Sequence, residues 1–368
     1  MSQRYGALPD IAITKMIEGG FIQQCRGTPS PASLDLHLSG ECYRIKGSFL
    51  PKHGEQVFTV AKEVGLHPYD ISNPLTVGET YLIPVEEKFA LTQSVYAYAN
   101  PKSSTGRNDV HVRVVADGVP AFDALNLPNY KGKVWVIVNP NSYPVLMSEG
   151  LPVTQLRFFN GDTRLSGLDM EFANTKENPF LCDSEGEAIA HEHTIRGDDG
   201  SLILTVDLTA DTAGYVAKHT QEVFDFDAPV RSVDWRDFFE EVHIRKDLLE
   251  MGQNRFYLLS TLQYPRVPPE YACEAVDLDS RSGDFRAHYA GFIDPGWGYG
   301  VDGEGRGRMI TLEVRSSERR LCFRHGQSIA RFRYERMLDV PEKHYDVLDT
   351  SNYRVQQGAR LSKHFKME

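Results

Sequence analysis

The 368-residue chain resembles itself, and this repeat constrains its fold more than any single motif. Shifting the sequence by 176 residues places Tyr81-Leu82 on Tyr257-Leu258 without a gap. Earlier in each half, residues 33–36 match residues 205–208 at a shift of 172. Because self-similarity at a long, fixed period indicates repeated structural units, we predict two related domains in tandem. The N-terminal domain covers residues 1–160 and the C-terminal domain covers residues 161–368.

Both halves contain short segments rich in β-branched and aromatic residues, which are typical of strands. Predicted strands are residues 134–138, 155–159, 202–208, 256–259 and 329–334. Gly and Pro recur between them at turn-like spacing, which favours a barrel or sandwich over alternating βαβ units. Helices are predicted only at residues 10–18, with Asp10 as the cap, and at residues 232–246. The predicted fold is mainly β: two β-barrel or sandwich domains in tandem with a few short helices.

Charge and hydropathy exclude several classes of partner. With 40 Lys and Arg against 51 Asp and Glu, the formal charge is −11, which argues against a nucleic-acid polymer as partner. The apolar runs are far shorter than the roughly 20 residues that span a bilayer, so we expect no membrane partner. Since the N-terminus does not resemble a secretory signal, we expect a cytoplasmic protein. Its five scattered cysteines are interpreted as reduced core thiols.

Two segments carry residues suited to chemistry. In Lys102-Ser103-Ser104-Thr105-Gly106-Arg107, two Ser hydroxyls lie between cations in a predicted turn, and this combination suits phosphate oxygens. Glu313 lies in the middle of a predicted strand; it would be inert on an exposed face and a general base in a cleft. His191-Glu192-His193 is interpreted as a solvated loop and residues 303–308 as a surface loop, so no metal site is predicted.

Four motifs resemble the trimeric dUTPase-like fold, and within it the dCTP deaminases. They are Lys102-Ser103-Ser104-x-x-Arg107, Ile293-Asp294-Pro295-Gly296-Trp297, Leu312-Glu313 and Tyr353-Arg354-Val355-Gln356-Gln357-Gly358. The helix at residues 10–18 and the strand near Asp35 also look like the opening of that family. The resemblance covers both halves and is strongest around residues 75–115 and 250–362. It implies two dUTPase-like β domains.

The resemblance also implies an activity, which is the zinc-independent hydrolysis of dCTP to dUTP and ammonia on the route to dTTP, with Mg²⁺ accompanying the triphosphate. Glu313 would be the general base, while Ser103 and Arg107 would orient the water and keep Glu313 ionised. The nucleotide partner would be bound by Lys102, Ser104, Asp294, Trp297, Tyr353, Arg354, Gln356 and Gln357. The tail over residues 353–366 would order over the nucleotide, and the chain could form a homo-oligomer.

The motifs are divided between the halves. Residues 279–283 stand opposite the Ser103–Arg107 segment without its final Arg, and Ile137 stands opposite Glu313. Asp294–Trp297 has no first-half equivalent, where Asp117-Gly118 begins a different loop. We therefore predict one composite site per chain, formed within a chain or across a homodimer.

Two rival functions stay open. One is dUTP pyrophosphatase activity, alone or added to deamination, with Asp294 activating a water at the α-phosphate. The other is a non-catalytic nucleotide-binding protein that keeps the fold while its sites decay.

Overall fold

The computed structural model describes residues 5–244, 248–283, 285–286, 289, 291–349, 353–354 and 356–366. These residues divide into two compact units. The first-half unit contains residues 7–162, 218–238 and 364–366, and the second-half unit contains residues 5–6, 163–217 and 239–363. Two segments from the second half of the sequence, 218–238 and 364–366, therefore belong to the first-half unit.

Most of the regular structure is β, as the sequence predicts. The α-helices are α1 (Asp10–Glu18), α2 (Val57–Val64), α3 (Ser103–Gly106) and α4 (Gly167–Ala173), and the 3₁₀ helices are His191–His193, Trp235–Asp237, Ser280–Ser282 and Tyr345–Val347. The strands are β1 (Ile22–Gln23), β2 (Leu34–His37), β3 (Cys42–Ile45), β4 (His67–Tyr69), β5 (Thr80–Pro84), β6 (Lys88–Ala90), β7 (Tyr96–Pro101), β8 (Val110–Ala116), β9 (Ala124–Leu125), β10 (Lys131–Gly132), β11 (Val134–Pro140), β12 (Val145–Leu146), β13 (Pro152–Phe159), β14 (Leu181–Cys182), β15 (Leu202–Asp207), β16 (Gly214–Ala217), β17 (Phe224–Asp225), β18 (Phe239–Val242), β19 (Leu248–Gly252), β20 (Phe256–Thr261), β21 (Tyr264–Pro265), β22 (Tyr271–Val276), β23 (Phe285–Arg286), β24 (Phe292–Ile293), β25 (Thr311–Ser316), β26 (Arg320–Arg324) and β27 (Ser328–Arg336).

The larger sheets of each unit are antiparallel. The larger sheets of the first-half unit have the orders β4-β3-β5-β11-β8 and β2-β13-β7-β9. In the second-half unit one sheet follows the path β18-β16-β20-β15-β27-β22-β24, with β25 pairing both β20 and β23. Strand residues such as Val136 and Leu258 are fully buried, so these sheets form the cores of the units. Among the described residues, no helix is both long and apolar enough to cross a bilayer.

The strand register confirms the internal repeat. Leu82 lies opposite Ile137 where β5 pairs with β11, and Leu258 lies opposite Glu313 where β20 pairs with β25. Each residue of the first pair therefore corresponds to a residue 176 positions later in the second pair. The same shift carries β7 onto β22 and β13 onto β27.

For strand β2, the predicted shift of 172 is wrong. Leu34 lies opposite Leu156, and Leu202 lies opposite Phe332, so β2 corresponds to β15 at a shift of 168. A shift of 172 applies one strand later, where Tyr43 and Tyr215 lie opposite Leu82 and Leu258. Because side chains alternate with a period of two along a strand, a slip of four residues keeps the same face apolar and is invisible to pattern matching.

The strand register also shows that Asp117-Gly118 is wrongly predicted as the first-half segment at the position of the Asp294–Trp297 turn. Leu125 lies opposite Ala97 and Ile293 lies opposite Cys273, so the residues that follow Leu125, not Asp117-Gly118, stand at the position of that turn. Asn126 occupies the place of Asp294, and the motif itself is absent there. The chain then has eight more residues from Ile293 to Glu313 than from Leu125 to Ile137, and they lengthen the loop at residues 298–308.

One predicted helix is confirmed and the other is wrong. Helix α1 spans Asp10–Glu18, but its N-cap position is Pro9, and Asp10 accepts a hydrogen bond from the Ile11 N–H instead. In place of the predicted helix at residues 232–246, the described residues form a 3₁₀ turn, Trp235–Asp237, and strand β18. Phe239 and Val242 are the buried ends of this four-residue strand, and that spacing imitates one face of a helix.

All five cysteines are free. Cys42, Cys182 and Cys273 are buried as expected of core thiols, whereas Cys25 is half-buried and Cys322 is exposed. The expectation of core thiols is therefore wrong for Cys322, which lies on strand β26.

Candidate active site

Glu313 occupies the centre of strand β25 in the second-half unit. Its side chain is only 2% exposed, and its Oε2 atom accepts a hydrogen bond of 2.7 Å from the Tyr289 backbone N–H. A buried carboxylate is unfavourable unless hydrogen bonds or charges compensate for its lost hydration. The position therefore holds a proton acceptor that is shielded from bulk water.

The face of β25 that carries Glu313 is polar, although the strand is buried. Thr311, Glu313 and Arg315 share this face because strand side chains alternate, and the residues between them belong to the hydrophobic core. The Arg315 Nε atom donates to the Tyr289 hydroxyl at 2.9 Å, and the Thr311 hydroxyl accepts from the Arg360 N–H at 3.0 Å. Tyr289 and the C-terminal tail therefore line the face that presents Glu313.

The tail packs on the same strand. Gln356 is 3% exposed and donates from Nε2 to the Met309 carbonyl at 2.9 Å, two residues before Thr311. Tyr353 is buried and its hydroxyl accepts from the Lys363 N–H at 3.3 Å, whereas Arg354 and Gln357 are exposed. Two of the four tail residues predicted to bind substrate thus have internal partners, and two face outwards.

The predicted Ile293–Trp297 motif forms a tight turn after β24. Gly296 has a φ of +89° and donates its N–H to the Val267 carbonyl at 2.8 Å. A Cβ atom at this position would lie 2.4 Å from the His344 ring, so both conformation and space require glycine. Asp294 is half-buried beside this turn, and its carbonyl accepts from the Trp297 N–H at 3.2 Å.

A buried ion pair fixes Trp297. The indole N–H donates to the Arg308 carbonyl at 3.2 Å, and the Arg308 guanidinium lies 5.1 Å from the indole ring. That guanidinium makes two hydrogen bonds, of 2.8 and 3.1 Å, to Asp346, which is 2% exposed. Asp346 also accepts from the Gly300 N–H at 2.9 Å. Trp297 is thus a packed core residue of the second-half unit, and its contact with substrate stays a prediction.

The Lys102–Arg107 segment lies in the first-half unit as the short helix α3 with its flanking residues. Thr105 and Gly106 donate their N–H groups to the Lys102 carbonyl, and the Arg107 N–H donates to Ser103. Ser103 and Ser104 are half-buried, whereas Arg107 is only 4% exposed. The Lys102 ammonium bonds the Asp35 carboxylate at 2.5 Å, so a phosphate at Lys102 would have to share it with Asp35.

The Ser103–Arg107 segment and Glu313 each have a counterpart in the other half of the chain, and both counterparts differ chemically from them. The turn Ser280–Ser282 stands at the position of α3, but Arg281 is exposed and bonds its neighbour Asp279 at 2.8 Å. Ile137 stands at the position of Glu313 and is a fully buried core residue. The predicted division of motifs therefore appears as two different local structures, and Ser103 and Arg107 belong to a different unit from Glu313.

Several groups of the second-half unit are not among the residues predicted from the sequence. Tyr289 contributes through its backbone N–H, for which no side-chain pattern exists, and Asp346 lies far along the chain from the turn that it supports. Thr311 could have been found, because it precedes Glu313 by two residues and must share its face. Among the described residues, no three His, Cys, Asp or Glu side chains form a group that could hold a metal ion.

Comparison with known proteins agrees with this architecture. Residues 4–162 match the N-terminal domain, and residues 171–365 the C-terminal domain, of the family described as 2'-deoxycytidine 5'-triphosphate deaminase. Among solved structures, the chain is similar to 2'-deoxycytidine 5'-triphosphate deaminase from Agrobacterium tumefaciens, with 32% sequence identity and a TM-score of 0.80. The match covers 91% of this chain and 100% of that one. A comparison with curated proteins gave no match.

The family match extends over both units, and the buried Glu313, the Asp294–Trp297 turn and the Lys102–Arg107 segment all lie within the matched residues. The chain belongs to the 2'-deoxycytidine 5'-triphosphate deaminase family.

Proposed function

We propose that this protein hydrolyses dCTP to dUTP and ammonia and that Glu313 is the general base. The observation that carries the proposal is a carboxylate that is 2% exposed, in mid-strand, with one oxygen on a backbone N–H. Ile137 shows that an apolar residue fits the same register position. Since burying a carboxylate costs stability there, its presence is best explained by function, and family membership supports the same reaction.

The reaction divides into proton transfers around C4 of cytosine. Glu313 takes a proton from water as the water oxygen forms a bond to C4, and the proton passes to N3. A second proton, from the added hydroxyl, then reaches the amine, the C4–N bond breaks and ammonia leaves. One dCTP and one water give one dUTP and one ammonia. A general base contributes about 10² to 10⁴ in rate, so positioned dipoles must supply the rest.

The remaining site residues keep the roles that the family resemblance implies. Ser103 and Arg107 would orient the water and keep Glu313 ionised, and Lys102, Ser104, Asp294 and the tail would bind the nucleotide. Mg²⁺ enters with the triphosphate as part of the substrate, and we propose no zinc. We also propose a cytoplasmic location, in keeping with five free cysteines, and assembly into a homo-oligomer.

Separate assays of ammonia and pyrophosphate test this proposal. Purified protein is incubated with dCTP or with dUTP, each with Mg²⁺, and both products are measured. Ammonia from dCTP without pyrophosphate supports the proposal. Pyrophosphate from dUTP would favour the pyrophosphatase rival with Asp294 at the α-phosphate, and both products would show a bifunctional enzyme. Nucleotide binding without either product would favour the non-catalytic rival.

Treatment with a zinc-selective chelator should leave the rate unchanged, whereas depletion of Mg²⁺ should raise the KM for dCTP. Stoichiometric zinc in the active purified protein would contradict the metal part of the proposal.

A further inference from the structure

Residues 218–238, named here the strap, complete the first-half unit. Strand β17 of the strap pairs in parallel with β12, and the Phe224 N–H donates to the Pro144 carbonyl at 2.9 Å. The strap closes on itself through the Lys218 N–H, which donates to the Phe238 carbonyl at 2.8 Å. Phe224 is fully buried and Phe238 is 4% exposed, so the strap supplies core residues to this unit.

The C-terminal residues 364–366, named here the anchor, lie against the strap. The His364 carbonyl accepts from the Ser232 and Val233 N–H groups at 2.9 and 3.0 Å, and the Lys366 N–H donates to Val233 at 2.8 Å. His364 is 3% exposed and Phe365 is 1% exposed. Residues 364–366, which follow the Tyr353–Gly358 motif, are therefore a packed and hydrogen-bonded segment of the first-half unit.

Strap and anchor meet in one aromatic cluster, which consists of Tyr143, Phe224, Phe226, Phe238 and Phe365. The Phe365 ring lies 5.2 Å from Phe224 and 5.9 Å from Phe238. The Phe238 ring lies 4.8 Å from Tyr143 in an edge-to-face arrangement. Because aromatic pairs have specific preferred geometries, the position of Tyr143 depends on these rings.

Tyr143 connects the cluster to the Lys102–Arg107 segment. Its hydroxyl donates to Asn108 Oδ1 at 3.0 Å, and Asn108 Nδ2 donates to the Ser104 carbonyl at 2.7 Å. Tyr143 is fully buried and Asn108 is 1% exposed. Burial, with a contribution from Asp109, raises the pKa of Tyr143 well above its ordinary value, so the hydroxyl stays a donor at neutral pH.

We propose that Phe365 and Tyr143 are positioning residues for Ser103 and Arg107, acting through the aromatic cluster and Asn108. The inference rests on the proposed function, in which Ser103 and Arg107 act on the attacking water. A displacement of such groups by about 1 Å lowers the rate strongly, because catalysis needs near-attack geometry. The anchor would therefore contribute to turnover without contacting the nucleotide.

Hydrogen exchange tests the positioning independently of any activity. We compare wild type with Phe365→Ala and Phe365→Leu by following the amides of residues 103–109. Faster exchange of these amides in Phe365→Ala, restored by Leu, is expected, while the amides of β2 in the same unit stay unchanged. Val223→Ala is the matched control, because Val223 lies in the strap but is 42% exposed. Unchanged exchange at residues 103–109 in Phe365→Ala would overturn the proposal.

A double-mutant cycle tests the consequence for turnover. Tyr143→Phe keeps the ring and removes the hydroxyl that bonds Asn108, and we expect the single-turnover rate of deamination to fall about fivefold, as for one lost hydrogen bond. In an Arg107→Ala background the same change should have little further effect on single-turnover rates, because groups that act as a unit are not additive. Equal losses in both backgrounds would indicate a general structural effect and overturn the proposal.

The two tests separate the possible failures. If wild type releases no ammonia from dCTP, the proposed function fails while the exchange experiment still tests the coupling of Phe365 to residues 103–109. If wild type is active and the cycle is additive, only the positioning role is wrong.

Discussion

Glu313 and Ile137 are the most informative pair of residues in this protein. Both lie at the same place in corresponding strands, opposite Leu258 and Leu82. One position holds a carboxylate with a backbone donor, and the other holds a fully buried aliphatic side chain. At this register position only the second half carries a group that can accept a proton.

Glu313→Gln should remove turnover but leave the fold and nucleotide binding nearly unchanged. The amide has the same shape and can still accept the Tyr289 hydrogen bond through its oxygen, but it cannot accept the proton. We expect kcat to fall by about 10² or more, with the Kd for dCTP within a few-fold of wild type by calorimetry. Glu240→Gln, at an exposed residue of β18, is the control. Retention of more than about a tenth of kcat would contradict the general-base role.

At this scale the sequence singles out Glu313 but leaves open whether it is exposed or buried, and the structure shows that it is buried. Glu313 is predictable because a carboxylate in the middle of a strand needs a reason. The Lys102–Asp35 pair and the Tyr289 N–H are not predictable, because they join residues that are distant in sequence.

At the scale of elements, one pair of hydrogen-bonded residues recurs at equivalent positions in both halves, but with different side chains. In the first half, Glu87 accepts the His37 N–H at 3.0 Å and lies 2.6 Å from the His37 ring. At the corresponding positions of the second half, Gln263 accepts the Thr205 N–H at 2.9 Å and donates to the Thr205 hydroxyl at 2.9 Å. An ionisable pair and a neutral pair therefore hold equivalent strand ends together.

A Thr–Gln pair like that of the second half should be able to replace the His37–Glu87 pair. Glu87→Ala leaves buried groups of His37 without their partner, which costs about 1–3 kcal/mol per group. The double variant His37→Thr/Glu87→Gln recreates the second-half pair and should lose much less stability. Chemical denaturation followed by near-UV circular dichroism measures both variants. A double variant as unstable as Glu87→Ala would show that the two residue pairs are not equivalent.

The lengthened loop at residues 298–308 depends on the Arg308–Asp346 pair, whose side chains are 14% and 3% exposed. Asp346→Asn removes the charge and leaves Arg308 buried without its counter-ion, so we expect a loss of about 3–5 kcal/mol. The KM for dCTP should also rise, because Trp297 contacts Arg308.

The same substitution at an exposed pair is the control for this prediction. Arg281 is 83% exposed in its pair with Asp279, and Asp279→Asn should not change stability measurably. Equal midpoints for the two variants in urea unfolding would contradict the structural role of Asp346.

Element prediction succeeds where period and pairing agree. Strands β11, β13 and β27 follow from runs of β-branched and aromatic residues, and the 176-residue repeat relates β13 to β27. The segment at 232–246 fails because β18 gains its stability from pairing with β16, a tertiary contact that local periodicity does not contain. The four-residue slip at β2 fails because alternation looks the same at either register.

At the scale of the whole molecule, the groups that we propose for deamination are distributed over both units. Arg107 has no counterpart at residues 279–283, and Glu313 has none at Ile137. We therefore predict one dCTP site per chain, composed of residues 102–107 and 293–313. Calorimetry with Glu313→Gln should give one nucleotide per chain, and two would end the composite-site prediction.

Mixing two variants of strongly reduced activity decides whether one chain or two build the site. Chains with Arg107→Ala and chains with Glu313→Gln are unfolded together and refolded. A site within one chain predicts no recovery of activity, whereas a site shared between chains predicts recovery to a fraction of wild type. Wild-type chains diluted with an equal amount of double-variant chains provide the reference for refolding yield.

Because the strap and the anchor come from the second half of the sequence, the first half alone does not contain its complete structural unit. A fragment that ends at residue 162 would keep Tyr143 but lose Phe224, Phe238 and Phe365, so buried aromatic surface would become exposed to water. The complementary fragment would carry those rings without the core that covers them. We therefore expect that a cut between residues 162 and 163 leaves neither fragment with a complete core, so that the two halves of this duplicated chain are not interchangeable modules.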